Sequence, residues 1–148
     1  MSLKELLMED MKQAMRDKDM VRKNTIQFLR SAILQVEKDT LTQLSDQEII
    51  EVISSQVKKR RASLPDFEKS GRNDLIEELN HEISILMSYL PEQLSEEQLD
   101  VLISATIAEI SASSLKDMGK VMAALLPKVS GKADNGLVSR IVKSKLSQ

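Results

Sequence analysis

The sequence predicts an all-α protein, and three observations support this fold class. Helix-favouring residues dominate the 148-residue chain, which has four glycines, three prolines and 2% aromatic residues. Capping boxes mark three helix starts, at Ser2, Ser45 and Ser95, each followed three residues later by Glu or Gln. Apolar residues recur every three or four positions, and we find no period-two run of β-branched residues. We therefore expect helices and no sheet.

Seven apolar stripes predict the helices in chain order, and each stripe is expected to face a core. The stripes contain Leu3, Leu7, Met11 and Met15; Ile26, Leu29, Ile33 and Val36; Ile49, Ile53, Val57, Leu64 and Phe67; Leu75, Leu79, Ile83, Met87 and Leu90; Leu99, Leu102, Thr106 and Ile110; Met118, Val121, Met122 and Leu125; Val138, Ile141, Val142 and Leu146. Pro65 is expected to kink or end the third helix, and Pro91 and Pro127 to stop the fourth and sixth. Asp134 is positioned to cap the last helix.

The break at Pro91–Leu94 predicts two subdomains. Residues 1–92 contain the longer helices, which suit an elongated antiparallel hairpin or bundle. Residues 93–148 contain three shorter helices joined by glycine-containing turns, which suit a compact three-helix domain.

Composition limits the classes of function. Cysteine is absent, which excludes disulfides, thiol catalysis and thiolate metal sites. The first residues mix charge signs without an apolar segment, and no apolar run approaches membrane-spanning length. We expect a cytoplasmic protein with no membrane association.

The net charge of −2 is unevenly distributed along the chain. Residues 116–148 contain seven basic and two acidic residues, a net charge of +5, whereas residues 1–115 have a net charge of −7. Such an asymmetry indicates a polyanionic partner.

Candidate catalytic residues are few. His81, the only histidine, lies two positions from Leu79 and from Ile83, so it should point away from the apolar stripe into solvent. Glu77, Glu78 and Glu82 share its helix without a second cluster, which is typical of a solvated face. We predict no catalytic residue, no metal site and no cofactor.

The basic run Lys58-Lys59-Arg60-Arg61 has two interpretations. It could bind nucleic acid, but four consecutive helical residues fan out over most of the circumference and do not form one patch. Because the surrounding sequence is acidic, a solvated or salt-bridged face is the preferred interpretation.

Basic residues of the last third form the candidate binding site. Four of them form two pairs, and the members of each pair are one helical turn apart: Lys116 with Lys120, and Arg140 with Lys143. The others, Lys128 and Lys132, lie with Gly131 in a predicted glycine-containing loop. Lys132 precedes the last helix, whose free N–H groups favour an anion, and glycines permit close backbone approach. Phosphate binding is one interpretation of this loop. A plain inter-helix turn beside scattered surface lysines is the other, and composition does not choose between them.

Three segments resemble those of a known family. Met118-Gly119-Lys120-Val121-Met122 is followed by Pro127-Lys128-Val129-Ser130-Gly131-Lys132-Ala133-Asp134, and Tyr89-Leu90-Pro91-Glu92-Gln93-Leu94-Ser95 forms the junction before them. These segments resemble the YqeY-like family, and the resemblance covers the whole chain. The last third is similar to the tail domain of GatB, the B subunit of the tRNA-dependent aspartyl/glutamyl amidotransferase.

The resemblance implies a fold and a partner. It implies an N-terminal helical part joined to a small GatB/YqeY domain, and contact with the body of tRNA through that domain. The positions that match the motif are Gly119, Lys120, Gly131 and Lys132. The family is associated with carbon–nitrogen ligase activity with glutamine as amido-N-donor, but this chain lacks the catalytic cradle of GatB and a Gly/Ser-rich amidase signature. The resemblance therefore does not transfer the ligase activity.

Two functional hypotheses remain. The first is a non-catalytic tRNA-binding adaptor whose C-terminal domain contacts phosphates; with few aromatic residues, it would recognise the shape and backbone of folded RNA. The alternative is an accessory protein that docks through its N-terminal helices on an amidotransferase, an aminoacyl-tRNA synthetase or another protein without binding RNA. Amidation by this chain alone is disfavoured.

Overall fold

The chain folds into seven α-helices over residues 1–147, the part that the computed structural model describes, and they divide into two units. Unit 1 is Met1–Leu90 and contains α1 (Leu3–Arg16), α2 (Met20–Thr40), α3 (Asp46–Ser70) and α4 (Asn73–Met87). Unit 2 is Pro91–Gln148 and contains α5 (Glu96–Glu109), a 3-10 turn (Leu115–Asp117), α6 (Met118–Val129) and α7 (Asn135–Leu146). No strand occurs in residues 1–147, so the all-α prediction is confirmed.

The three predicted capping boxes all form. In α5, the Oγ of Ser95 accepts a hydrogen bond from the backbone N–H of Gln98 at 3.1 Å, and the Gln98 side chain accepts from the Ser95 N–H at 3.0 Å. Ser2 and Ser45 make the same reciprocal pair with a glutamate. Asp134 occupies the N-cap position of α7 but makes no side-chain capping hydrogen bond. Each cap contributes typically about 1 kcal/mol.

Unit 1 has one aliphatic core, to which all four helices contribute. Its fully buried members are Leu7, Ile26, Leu29, Ile33, Ile49, Ile53, Val57, Ile83 and Leu86. The prediction that Met15 faces this core is wrong: Met15 is 56% exposed, and the preceding residue, Ala14, is buried instead. The cause is helical drift, because two steps of four residues from Leu7 rotate by about 80° whereas seven residues almost restore the direction.

Unit 2 has its own core, formed by α5, α6 and α7. Its fully buried members are Leu99, Ile103, Val121, Leu125, Val129, Val138, Val142 and Leu146. The predicted stripe of α5 omitted Ile103 and included Ile110, which is exposed. Ile110 lies beyond the last turn of α5, at its C-cap, so the helical spacing no longer places it on the core face.

Neither Pro65 nor Pro127 ends its helix. α3 continues through Pro65 to Ser70, and α6 continues through Pro127 to Val129. Both prolines are exposed, and so are Arg61 and Ala123, the residues four positions earlier whose carbonyls lose their helical partner. Because water can satisfy these carbonyls, the missing hydrogen bond does not end the helix.

All three aromatic residues, Phe28, Phe67 and Tyr89, lie in unit 1. Tyr89 follows α4, and its hydroxyl donates a 2.5 Å hydrogen bond to the carboxylate of Asp10 on α1. Arg22 on α2 lies 3.8 Å from the same carboxylate. Burial, together with the negative charge of Asp10, raises the pKa of the Tyr89 phenol. The hydrogen bond ties the end of unit 1 to its first helix pair.

We predict that Tyr89→Phe lowers the free energy of unfolding by about 1 to 2 kcal/mol, since it removes a hydrogen bond to a charged group at a half-buried position. The tyrosine of the unfolded chain ionises at about pH 10, whereas the raised pKa of Tyr89 keeps the phenol of the folded chain neutral at higher pH. The stabilisation by the Tyr89–Asp10 hydrogen bond is therefore complete below the pKa of the unfolded chain. It is lost as the pH rises through the raised pKa of the folded chain. Urea denaturation of both proteins at neutral and alkaline pH measures it; equal stabilities at neutral pH would contradict the assignment.

A second prediction concerns the smallest independent piece of unit 2. The Gln93 side chain donates to the Gly131 carbonyl at 2.6 Å, and the Leu94 N–H donates to the Lys132 carbonyl at 2.9 Å. Leu94 also packs on the core of unit 2. We expect a fragment of residues 91–148 to be more stable than one of residues 95–148, by on the order of 2 kcal/mol. Thermal melts followed by circular dichroism compare them, and coincident melts would refute a role for this segment.

Candidate functional site

The first basic pair lies at the start of α6. Lys116 is in the 3-10 turn and Lys120 in the first turn of α6, and both are exposed. Ser114 fixes the turn, since its Oγ accepts from the Lys116 N–H, and the Asp117 carboxylate accepts from the Ser113 N–H at 2.9 Å. That N–H, and more weakly the charge of Lys120, lower the pKa of Asp117. The pair thus lies on and just after a 3-10 turn that Ser114 caps, beside one carboxylate.

Lys128 is not in a loop, which corrects the sequence interpretation. It lies in the last turn of α6, because that helix runs through Pro127. Its ammonium group is 3.4 Å from a carboxylate oxygen of Glu109 and 3.5 Å from the hydroxyl of Thr106, both on α5. Lys128 therefore links α5 to α6, and a phosphate would compete with Glu109 for it.

The turn between α6 and α7 is closely tied to the rest of unit 2. Gly131 is buried with φ of +73°, a left-handed conformation that favours glycine. The carbonyls of Gly131 and Lys132 accept the hydrogen bonds from Gln93 and Leu94. The Lys132 side chain is half-buried. Sequence reasoning missed Gln93, because a hydrogen bond between residues 38 positions apart leaves no local pattern.

A carboxylate already lies at the start of α7, where a bound phosphate was one interpretation. Asp134 is the N-cap, and one of its carboxylate oxygens would lie 3.1 Å from a Cβ placed on Gly136. A negative side chain next to the first turn interacts favourably with the helix dipole and repels a second anion. The turn geometry therefore gives the plain structural interpretation more support than a phosphate cradle.

The second basic pair lies on α7. Arg140 and Lys143 are exposed, and by helical spacing Arg140 points about 180° away from the centre of the face that the buried Val138 and Val142 share. Lys145 on the flank of α7 is 3.0 Å from Asp100 on α5. Leu137, Ile141 and Ser144 join Arg140 and this ion pair around a shallow cavity of about 340 Å³.

Charges in unit 2 are segregated between helices. All seven basic residues follow position 115, and five of its seven acidic residues precede that position, so the formal charge of the unit is zero. Lys128 and Lys145 pair with acids of α5. Within residues 1–147, no carboxylate lies within 4.0 Å of the five other basic groups, which are Lys116, Lys120, Lys132, Arg140 and Lys143. The basic excess is thus a property of α6, α7 and their turns rather than of the whole unit.

The basic residues of the run in α3 differ in their exposure and contacts. Arg60 points inward, with its guanidinium 3.8 Å from Glu82, 2.9 Å from the Gln56 side-chain oxygen and 5.5 Å from the centre of the Phe28 ring. Burial raises the pKa of Glu82. Lys59 and Arg61 are exposed. As predicted, the run does not form one patch.

His81 and two of the three acidic candidates lie on the surface of α4. His81, Glu77 and Glu78 are exposed, as predicted, whereas Glu82 is half-buried beside Arg60, so the prediction of a solvated position is wrong for Glu82. In residues 1–147, no three histidine, aspartate or glutamate side chains converge as a metal ion would require. The helices of this part of the chain are also all too short or too polar to cross a membrane.

Comparisons with known proteins cover nearly the whole chain. The sequence profile of the family described as Yqey-like protein matches residues 4–146. Several fungal proteins named "Altered inheritance of mitochondria protein 41, mitochondrial" are similar. The one from Pyrenophora tritici-repentis is 26% identical over 140 residues, which are 93% of this chain and 77% of that protein.

Two yeast proteins of the same name are more similar over shorter stretches. The one from Lachancea thermotolerans is 34% identical over 121 residues, 77% of this chain and 65% of that protein. The one from Kluyveromyces lactis is 32% identical over 111 residues, 72% of this chain and 60% of that protein. These alignments span slightly less than two thirds of the two yeast relatives, whereas the family profile spans both units here. The chain therefore belongs to the Yqey-like protein family.

Proposed function

We propose that this protein is a non-catalytic tRNA-binding adaptor related to the glutamine-dependent tRNA amidotransferase system. Its C-terminal unit would bind the RNA backbone through the outer surface of α6 and α7. The observation that carries the proposal is the charge segregation of unit 2: among residues 1–147, five basic groups of α6, α7 and their turns have no carboxylate within 4.0 Å.

The arrangement of these groups suits an extended polyanion. Lys116 and Lys120 are exposed one turn apart at the start of α6, so both can contact phosphates of one strand. Arg140 and Lys143 add exposed charges on the neighbouring helix. Unit 2 has no aromatic residue, so RNA would be bound through its phosphates and shape rather than through stacked bases.

The seven candidate residues have different roles under this proposal. Lys116, Lys120, Arg140 and Lys143 would bind phosphates directly, because their side chains are exposed. Lys132 would contribute from the side of the turn. Lys128 would act mainly by holding α5, and Gly131 by allowing the turn, so changes at these two positions would alter the surface indirectly.

The adaptor assignment follows from what the chain offers chemically. Its single histidine is exposed, and within residues 1–147 no three acidic or histidine side chains converge as a metal ion would require. Carbon–nitrogen ligation with glutamine as amido-N-donor, the activity associated with the family, would therefore belong to a partner such as an amidotransferase or to an aminoacyl-tRNA synthetase complex. We propose the cytoplasm as its compartment; the names of the fungal relatives refer to mitochondria, and cell fractionation distinguishes the two.

One observation favours the alternative, an accessory protein that does not bind RNA. The exposed large apolar side chains of unit 1 lie on its first two helices and their ends. A protein partner would cover such a surface. The two functions differ in salt dependence, because binding to phosphates releases counterions and apolar association does not.

We predict that the triple variant Lys120→Ala, Arg140→Ala, Lys143→Ala weakens tRNA binding and flattens its salt dependence. Each phosphate interaction that is removed should reduce the steepness of log K against log salt by about 1. The effect should be the same for different tRNA species, since interactions with the backbone do not read sequence. Stability should change by no more than about 0.5 kcal/mol, because the three positions are exposed. Titrations of labelled tRNA at two salt concentrations measure the affinity.

The matched control removes the same number of exposed cations from unit 1: Lys12→Ala, Lys59→Ala, Lys69→Ala. This control should bind tRNA like the parent apart from a small reduction due to net charge. If it no longer binds while the α6–α7 variant does, the RNA site is in unit 1. If the parent itself shows no salt-dependent affinity for tRNA, the adaptor proposal fails.

A further inference from the structure

The large exposed apolar side chains of unit 1 are confined to its first two helices and their ends. In unit 1 they are Met1, Leu6, Met8, Met15, Met20, Phe28, Leu34 and Leu41, and none belongs to α3 or α4. Met8 and Leu34 line a groove of about 620 Å³ between α1 and α2. A groove of this kind on one face of a helix pair is typical of a protein interface.

The register of the two helices defines what lies around the groove. The Lys4 ammonium pairs with Glu37, and the Arg30 guanidinium lies 3.5 Å from the sulfur of Met11. The two helices are therefore antiparallel. A residue of α1 lies beside the residue of α2 for which the two residue numbers add up to about 41. Met8 and Leu34 thus lie at almost the same level, and they form the apolar centre of the groove.

The two edges of the groove have opposite charge. Glu5 and Glu9 line it on the α1 side. On α2, Arg30 lies one turn before Leu34 and Lys38 one turn after it, and both lie on the same side of the helix as Leu34. Glu37 also faces the groove, but its charge is paired with Lys4. Lys12 lies one turn after Met8 on α1, so, with the Lys4–Glu37 pair cancelled, the α1 side keeps a net charge of −1 and the α2 side a net charge of +2 around the apolar centre.

We propose that this groove is the interface for a second copy of the same chain. With a two-fold axis parallel to the helices, α1 of one copy lies across α2 of the other, so the acidic edge of each meets the basic edge of its partner. The same pairings occur twice, as an isologous interface requires. At this register Glu9 of one copy lies within one helical turn of Arg30 of the other. The two Leu34 side chains enter the facing grooves.

The size of the face sets the expected strength. α1 has 14 residues and is about 21 Å long, and two packed helices are about 20 Å wide, which gives a footprint on the order of 400 Å² per copy. Stable interfaces usually bury roughly 800 Å² per partner. The dimer should therefore be reversible, with a dissociation constant in the micromolar-to-millimolar range.

Sedimentation equilibrium of the full chain tests the proposal. The average mass should rise from 16.6 kDa towards twice that value as concentration increases. Leu34→Glu should weaken dimerisation about tenfold or more, because it places a charge in the apolar centre next to the acidic edge of the other copy. Leu34 is 51% exposed, so folding should be retained, which circular dichroism checks.

Leu41→Glu is the matched control, because it makes the same replacement at the end of the same helix, at a position that is 90% exposed and outside the groove. It should dimerise like the parent. The proposal is overturned if the parent stays monomeric up to millimolar concentration. It is also overturned if the Leu34→Glu protein dimerises like the control. A monomeric parent would leave a different protein as the candidate occupant of the groove.

A charge exchange between copies tests the predicted orientation. Glu9→Lys and Arg30→Glu should each weaken self-association, because each variant places two like charges at both symmetric pairings. An equimolar mixture of the two variants should associate more strongly than either alone. In the mixed dimer, the introduced lysine faces the introduced glutamate, and the original Arg30 of the first variant faces the original Glu9 of the second. Both pairings then join opposite charges, so the absence of any recovery in the mixture would exclude this two-fold arrangement.

Discussion

Consecutive helices within each unit are joined through one residue whose backbone is in the left-handed region, and the packing of both cores depends on these reversals. The residues are Lys18 after α1, Leu41 after α2, Gly71 after α3, Ser111 after α5 and Gly131 after α6. A non-glycine residue there costs roughly 1 to 2 kcal/mol. The burial of the helix faces that the reversal brings together offsets this cost, and each reversal stops one helix and turns the chain back along it.

The last of these reversals organises the candidate RNA-binding surface. Gly131 allows α7 to return against α6, so that basic residues from two separate stretches of sequence belong to one unit. The acids of α5 then hold two of them, Lys128 and Lys145. The basic groups of this unit are therefore of two kinds. Lys128 and Lys145 link α6 and α7 to α5 through ion pairs, and the others have no carboxylate within 4.0 Å among residues 1–147.

Much of the fold could be predicted from the sequence, because its signals are local. The capping boxes of Ser2, Ser45 and Ser95 form as expected, and most apolar stripes are buried. Errors arose where the outcome depends on surroundings that a pattern does not contain. Pro127 was expected to stop its helix and Pro65 to kink or end its own; both helices continue, because exposure lets water satisfy the carbonyls that the prolines leave unpaired.

The candidate site was less predictable than the fold. The sign of each charge is readable in the sequence, but its partner is not: Glu109 and Lys128 are 19 positions apart, and Gln93 and Gly131 are 38 apart. Those interactions move Lys128 and Gly131 from a hypothetical phosphate loop to structural roles. The left-handed backbone conformations of Lys18, Leu41 and Ser111 could not be predicted either, because these residue types do not favour that conformation.

The location of the aromatic residues has an optical consequence. Tyr89, Phe28 and Phe67 all belong to residues 1–90, and tryptophan is absent from the chain. Near-ultraviolet absorption, near-ultraviolet circular dichroism and intrinsic fluorescence therefore report on unit 1 alone, while the far-ultraviolet signal comes from the helices of both units. Unit 2 does not absorb in the near-ultraviolet band of the nucleobases, so a change of bound RNA in that band would be free of overlap from the unit proposed to bind it.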